Sequence, residues 1–166
     1  MALGRTTVKR LPGGRLRLRL DPDERDLLFS IPQQLRPAWT GEAGPDELLT
    51  RLFPPAHAEP DLEAEYRMLT GGELAGRRSE TLDRFLMSFH HGEEHRGVWT
   101  AELDPDEAHA WLQVVNDTRL TLATLEGIRT EADWEDEPQT PQRLLLHWLG
   151  WFEEQLVGAL MGTLEP

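Results

Sequence analysis

Leucine and arginine alternate strictly over residues 15–20, RLRLRL, so Leu16, Leu18 and Leu20 share one face of an extended strand and Arg15, Arg17 and Arg19 the other. A second short run covers residues 6–11, and Pro12-Gly13-Gly14 between the two suits a tight turn, so the pattern predicts an N-terminal β-hairpin. An isolated hairpin is marginal in water. Its leucine face therefore needs cover from the rest of the chain.

That remainder reads as helix, with recognisable starts. Asp21-Pro22-Asp23-Glu24 supplies an N-cap, a proline at the first helical position and a glutamate at the third. The same tetrapeptide returns at Asp104-Pro105-Asp106-Glu107, after a predicted extended segment at residues 97–103, and reads as one capping solution used twice. Pro45, Pro60 and Pro141 precede further helical patterns, and Thr70-Gly71-Gly72-Glu73 reads as another capping box. These signals predict helices near 22–36, 45–53, 60–69, 71–91, 105–127 and 141–163, with Pro32 kinking or splitting the first. The expected fold is mainly α: a bundle of about six helices, an N-terminal hairpin and a third short strand near 97–103. Residues 1–166 are expected to form a single domain, with residues 1–20 a basic arm and 21–166 the helical body.

Composition fits a soluble globular chain, at 39% hydrophobic and 28% charged residues, and the absence of cysteine removes disulfides, thiolate metal sites and thiol nucleophiles. Six tryptophans call for a real core or interface. The first residues lack the apolar stretch of a secretory signal, and two glutamates interrupt the most apolar run, at 144–161, so a cytoplasmic protein without a membrane span is expected. The net charge of -13 hides an asymmetry. Residues 1–20 hold Arg5, Lys9, Arg10, Arg15, Arg17 and Arg19 with no acid, against 11 basic and 30 acidic residues in the rest. Lys9, Arg10, Arg15, Arg17 and Arg19 are thus a candidate partner-binding arm, directed at nucleic acid or at carboxylates, or resting on the acidic body itself. A strongly negative chain with no basic recognition helix argues against direct nucleic-acid binding.

No phosphate-binding loop, dinucleotide fingerprint or nucleophile elbow occurs, so no catalytic residue and no cofactor are expected. HHGEEH at residues 90–95 is the one metal-like cluster, but the adjacent His90 and His91 cannot both face one ion from a regular helix, and a solvated loop is the expected reading. Helical periodicity places Trp111, Leu112, Val115, Leu122 and Ala123 on one apolar stripe, with Arg119 near its centre, Asn116 at its edge and Asp117 pointing the other way. An arginine there must be paired or solvated. Glu63, Glu65, Glu153 and Glu154 are its candidate partners, and a structural ion pair or an anion-binding pocket are the two readings. The last helix is apolar around most of its circumference, so Trp148, Trp151, Phe152 and Leu156 serve either a central core helix or a homodimer interface.

LTRLFPPAH with EAEYRMLTGGEL, then EAHAWLQVVNDTRLTLATLEGI, then LHWLGWFEEQLVGAL, resemble an actinobacterial domain-of-unknown-function family often encoded beside the ClpS protease adaptor, which includes AosR-like (actinomycete oxidative stress regulator-like) proteins. The resemblance runs from the hairpin to the C-terminal helix. It implies a non-enzymatic regulatory role exerted through protein partners, a sigma factor or another transcription component among them. Relatives that sense redox through an N-terminal cysteine pair set a pattern this chain departs from: Arg5 and Lys9 occupy that region, and a disulfide switch has nothing to act on. The expected function is therefore a regulatory interaction protein, with a small-molecule or anion-binding helical protein as the alternative.

Overall fold

A computed structural model describes residues 6–53, 55–135 and 140–162. Strand β1 (Thr7–Arg10) and strand β2 (Leu16–Leu20) form the N-terminal hairpin, in antiparallel register with Val8 opposite Leu18. Their connection is a short 3-10 turn, Pro12–Gly14, in which Gly13 and Gly14 take φ of 78° and 74°. That left-handed backbone is why the turn carries a glycine pair. Helices α1 (Pro22–Trp39), α2 (Asp46–Leu52) and α3 (Pro60–Ser88) follow, then strands β3 (Glu93–His95) and β4 (Val98–Leu103). The chain continues through α4 (Pro105–Leu125), the short α5 (Glu131–Glu135) and α6 (Pro141–Met161). The fold is mainly α, with six helices and one small antiparallel sheet among the described residues.

The sheet has the order β1-β2-β4-β3, which makes the arginine-leucine strand interior to it. Leu16, Leu18 and Leu20 pair with Leu103, Ala101 and Trp99, and this face is sealed, each of the three leucines being 0% exposed. Beneath it, Trp99, Trp111 and Phe89 form a mutually packed trio, Phe89 lying 5.3 Å from Trp99 and 5.1 Å from Trp111 and the two indoles 6.2 Å from each other between ring centroids, and Phe85 and Phe152 close against Trp111. Trp148 stacks on Phe152, and Trp39 donates its indole N–H to Thr121 Oγ1 at 2.9 Å. Trp39, Trp99, Trp111 and Trp148 are thus core residues.

Three expectations need correction. Residues 60–69 and 71–91 are not two helices, because α3 runs unbroken through Gly71 and Gly72. The Thr70 hydroxyl donates back to Tyr66 O at 2.7 Å, the bond of a helix interior, so it does not cap a new start. Pairs such as Glu63–Arg67 and Glu73–Arg77 support the exposed half one turn apart. Pro32 does not split α1, which continues past both Pro32 and Pro37 to Trp39; Gln33 donates its side-chain amide to Phe29 O at 2.6 Å on the disturbed turn. HHGEEH is not a loop. Phe89–His91 forms a 3-10 turn and Glu93–His95 adds an edge strand to β4 through a turn at Arg96 and Gly97, both at positive φ. The stretch before α6 contains α5, held by Thr130 and Asp133 bonding across its first turn. Of that stretch, residues 136–139 lie outside the described residues, as does position 163 at the expected end of α6.

The two Asp-Pro-Asp-Glu segments both start helices through capping boxes. In the second, Glu107 N–H donates to Asp104 Oδ1 at 2.8 Å and Glu107 Oε2 accepts from Asp104 N–H at 3.3 Å. α6 ends on Gly162 in the left-handed region, φ 69°, a glycine C-terminal cap.

Candidate partner-binding face and ion pairs

Strand alternation that buries the leucines leaves the other face of the sheet open, and it is basic. Lys9 on β1 and Arg15, Arg17 and Arg19 around β2 are exposed there. One carboxylate answers two of them: Glu102, opposite Arg17 on β4, accepts from Arg17 Nη2 at 2.7 Å and from Arg15 Nη1 at 3.2 Å. The Arg17 hydrogen bond is the main reason the Glu102 carboxyl is held below the ordinary carboxylate range. Lys9 and Arg19 have no ion-pair partner among the described residues, and β4 offers Arg19 only Thr100 across the sheet. Arg10 lies beside the C-terminal end of α6, where a side chain at Gly162 would meet its guanidinium. The carbonyl end of a helix favours a cation at that position.

Arg119 is paired with Glu153, Nη1 to Oε2 at 2.6 Å, linking α4 to α6. It is not buried: half of its side chain is accessible. It opens onto a cavity of about 500 Å³ whose walls also carry Glu131, Trp134, His147, Trp151 and Glu154. With Glu153 taking the guanidinium and two further carboxylates lining the space, the surroundings are acidic. Glu63 and Glu65 are elsewhere. Glu63 caps the loop before α3, accepting from Ala56 N–H and His57 N–H at 2.9 Å and from Arg67, bonds that outweigh the upward push of its partial desolvation and hold its carboxyl low. Glu65 is exposed on α3, and Asn116 is exposed on α4.

The buried charge on α4 is Asp117. It meets Arg78 of α3 at 3.2 Å, with 9% and 19% of the two side chains accessible. Arg78 also donates to Leu52 O at 2.8 Å and lies over the Phe53 ring. Burial pushes the Asp117 carboxyl above its ordinary range even though Arg78 pulls the other way. The rest of that face is lined by threonines. Thr118 and Thr124 return their hydroxyls to the carbonyls one turn earlier, and Thr121 accepts from Trp39. Sequence periodicity missed this face because threonine counts as polar in the pattern, although its hydroxyl can be satisfied inside the helix.

The burial of two further charged residues gave no sequence signal. Glu24, 1% exposed, accepts from the Thr6 hydroxyl and from Asp21 N–H, while its Oε1 and the Trp148 indole N–H meet no partner of hydrogen-bond geometry among the described residues. Burial is the main cause of its raised carboxyl pKa. Arg143, 5% exposed, donates to the carbonyls of Asp133 and Trp134 at 3.0 and 3.1 Å and ties α5 to the start of α6.

Trp148, Phe152 and Leu156 are buried in this chain's own core, and Trp151 is half-buried, so the apolar circumference of α6 follows from its central place. His91 of HHGEEH pairs with Glu107 at 3.2 Å. Among the described residues no group of three or more metal-ligating side chains comes together, and no helix is long and apolar enough to cross a membrane.

Residues 5–160 match the family model described as a domain of unknown function, DUF2017. The chain belongs to that family. No curated protein and no solved structure matches it. The span of the match shows that the basic hairpin of this DUF2017 chain belongs to the family domain, as do α3, α4 and α6.

Proposed function

We propose that this DUF2017 chain is a non-enzymatic regulatory protein of the cytoplasm that acts by docking an acidic protein partner on the outer face of its sheet. One observation carries the reading: four basic side chains are gathered on an exposed face of a chain of net charge -13, and Lys9 and Arg19 have no ion-pair partner among the described residues. Like charges collected on one face repel one another, and a partner carboxylate set against them removes that repulsion. The resemblance to AosR-like proteins supports a transcription component, a sigma factor first, as the class of partner. Without cysteine this chain contributes no thiol switch to the association.

Affinity capture from the native host tests the reading. The wild-type chain is expected to retain an acidic partner in a salt-sensitive manner, and the Lys9→Glu/Arg19→Glu variant to lose it with an unchanged melting temperature. Arg119→Gln serves as a control and is expected to retain the partner. Capture unaffected by the double reversal overturns the proposal.

A further inference from the structure

The sheet has an open edge beside this basic face. Leu11 N–H donates to Arg15 O at 2.8 Å, and with the antiparallel register this makes Lys9–Arg17 and Thr7–Arg19 the hydrogen-bonded pairs of the hairpin. Val8 and Arg10 fall between them, so their N–H and C=O groups point away from β2, and no strand pairs with that side of β1 among the described residues. The edge borders a groove of about 870 Å³ between β1 and α6, lined along one side by residues 6–12 and along the other by Gln155, Ala159 and Gly162. Lys9 and Arg10, both exposed, are its charged groups.

We infer that β1 accepts an extended acidic segment of the partner as a fifth strand, a step that rests on the reading of the basic face as a docking surface. Outward N–H and C=O groups at alternate positions supply the ladder, and the side chains on one face of the incoming strand meet Lys9. Its other face meets Val8 and the Ala159 surface, which selects a segment alternating acidic with apolar residues. Charge decides between occupants. A second copy of β1 would set Lys9 and Arg10 beside their own duplicates, and like charges across a strand pair are destabilising. Nucleic acid offers no peptide ladder and meets a net charge of -13.

The test uses the full chain and a labelled peptide alternating Glu and Val, read by fluorescence anisotropy. Comparison probes are the same peptide N-methylated at alternate residues, a Glu-Pro peptide of equal charge and a short DNA duplex. The Glu-Val peptide is expected to bind, and each of the two ladder-deficient peptides to bind about tenfold more weakly, as the loss of one or two net hydrogen bonds requires. Arg10→Ala removes the charge alone, whereas Arg10→Pro also removes the outward N–H and is expected to weaken the Glu-Val peptide by about a further tenfold. Equal binding of all three peptides overturns strand addition but leaves the acidic-partner reading standing. Absence of any peptide binding, in a protein that still captures its partner through Lys9 and Arg19, overturns it in the same way. Tighter binding of the duplex, or a dimer in solution abolished by Arg10→Pro, assigns the edge to another occupant and also overturns the inference.

Discussion

Arg119 and Asp117 lie two residues apart on α4, and solvent treats their ion pairs in opposite ways. Arg119 reaches Glu153 at 2.6 Å across the surface, with half its side chain in water. Asp117 points to the other side of the helix and meets Arg78 at a longer distance, 3.2 Å, in a nearly closed setting. The shorter contact is the weaker one in its consequences. Water screens the first pair and competes for both its members, whereas the second has lost its hydration and depends on its partner. Distance alone ranks these interactions wrongly; burial ranks them.

The largest expected effect follows from that ranking. Arg78→Ala leaves Asp117 buried without its cation, strips a donor from Leu52 O and uncovers Phe53, and is expected to cost about 3–5 kcal/mol in urea unfolding at neutral pH. The deficit is expected to shrink on acidification. Burial already raises the Asp117 carboxyl, and removal of Arg78 raises it further, so the folded variant gains protons that the unfolded chain does not bind. A loss as large from Arg119→Ala would break the comparison.

How much of this was legible beforehand depended on which signal each residue left. The leucine face of RLRLRL was readable because a period of two is unambiguous when three large apolar side chains alternate with three charges. The paired capping boxes were readable because their chemistry is local. Periodicity marks Arg119 as an anomaly with Glu153 among its candidate partners, yet the apolar stripe it defines is rotated from the buried face. Val114, Thr118 and Thr121 face the core and Leu112 lies at the margin, a difference that depends on what α3 and α6 bring against α4. Arg78 lay in a stretch with no apolar face of its own, and its burial comes from Asp117, Leu52 and Phe53, up to 39 positions away. β3 was invisible because three exposed polar residues carry no alternation.

Glu24 extends the comparison to a buried carboxyl with no ion-pair partner among the described residues. Burial is the main cause of its raised pKa, so only between the unfolded value near 4.5 and the raised folded one does the native state hold a proton that the unfolded chain has released. By linkage, stability contributed at this site is largest below 4.5 and declines as pH rises through the raised folded value. Glu24→Gln keeps the shape without the ionisation, so its stability relative to wild type is expected to increase with pH across that window, followed by urea midpoints at several pH values. The carboxyls of Glu47, Glu102 and Asp133, held low by their partners, act with the opposite sign and are common to both proteins. A pH-independent difference between the two would mean that Glu24 does not titrate in the folded chain.

Arg78 lies on the half of α3 that enters the core, and the exposed first half runs into it without a break. Gly71 and Gly72 lie in that first half with open space around their Cα atoms. Gly72→Ala is therefore expected to stabilise the protein by about 0.5–1 kcal/mol, the helix-interior difference between the two residues. A second helix starting at Thr70 would predict no such gain, so thermal unfolding of this one variant separates the two descriptions.

The smallest effect closes the comparison from the surface side. Arg119→Ala is expected to cost less than about 1 kcal/mol, because half of the guanidinium side chain is accessible and the gain from pairing is offset by lost side-chain freedom. A double-mutant cycle with Glu153→Ala isolates the pair, and its coupling should fall toward zero as salt is raised, whereas that of the Arg78–Asp117 cycle should persist. Glu153 is the less exposed partner, 16% accessible, so truncating Arg119 should cost slightly more than truncating Glu153, since it leaves the drier charge behind. A coupling above 2 kcal/mol that resists salt would show that Arg119 shares the closed environment of Asp117, and burial would then cease to be what separates the two faces of α4.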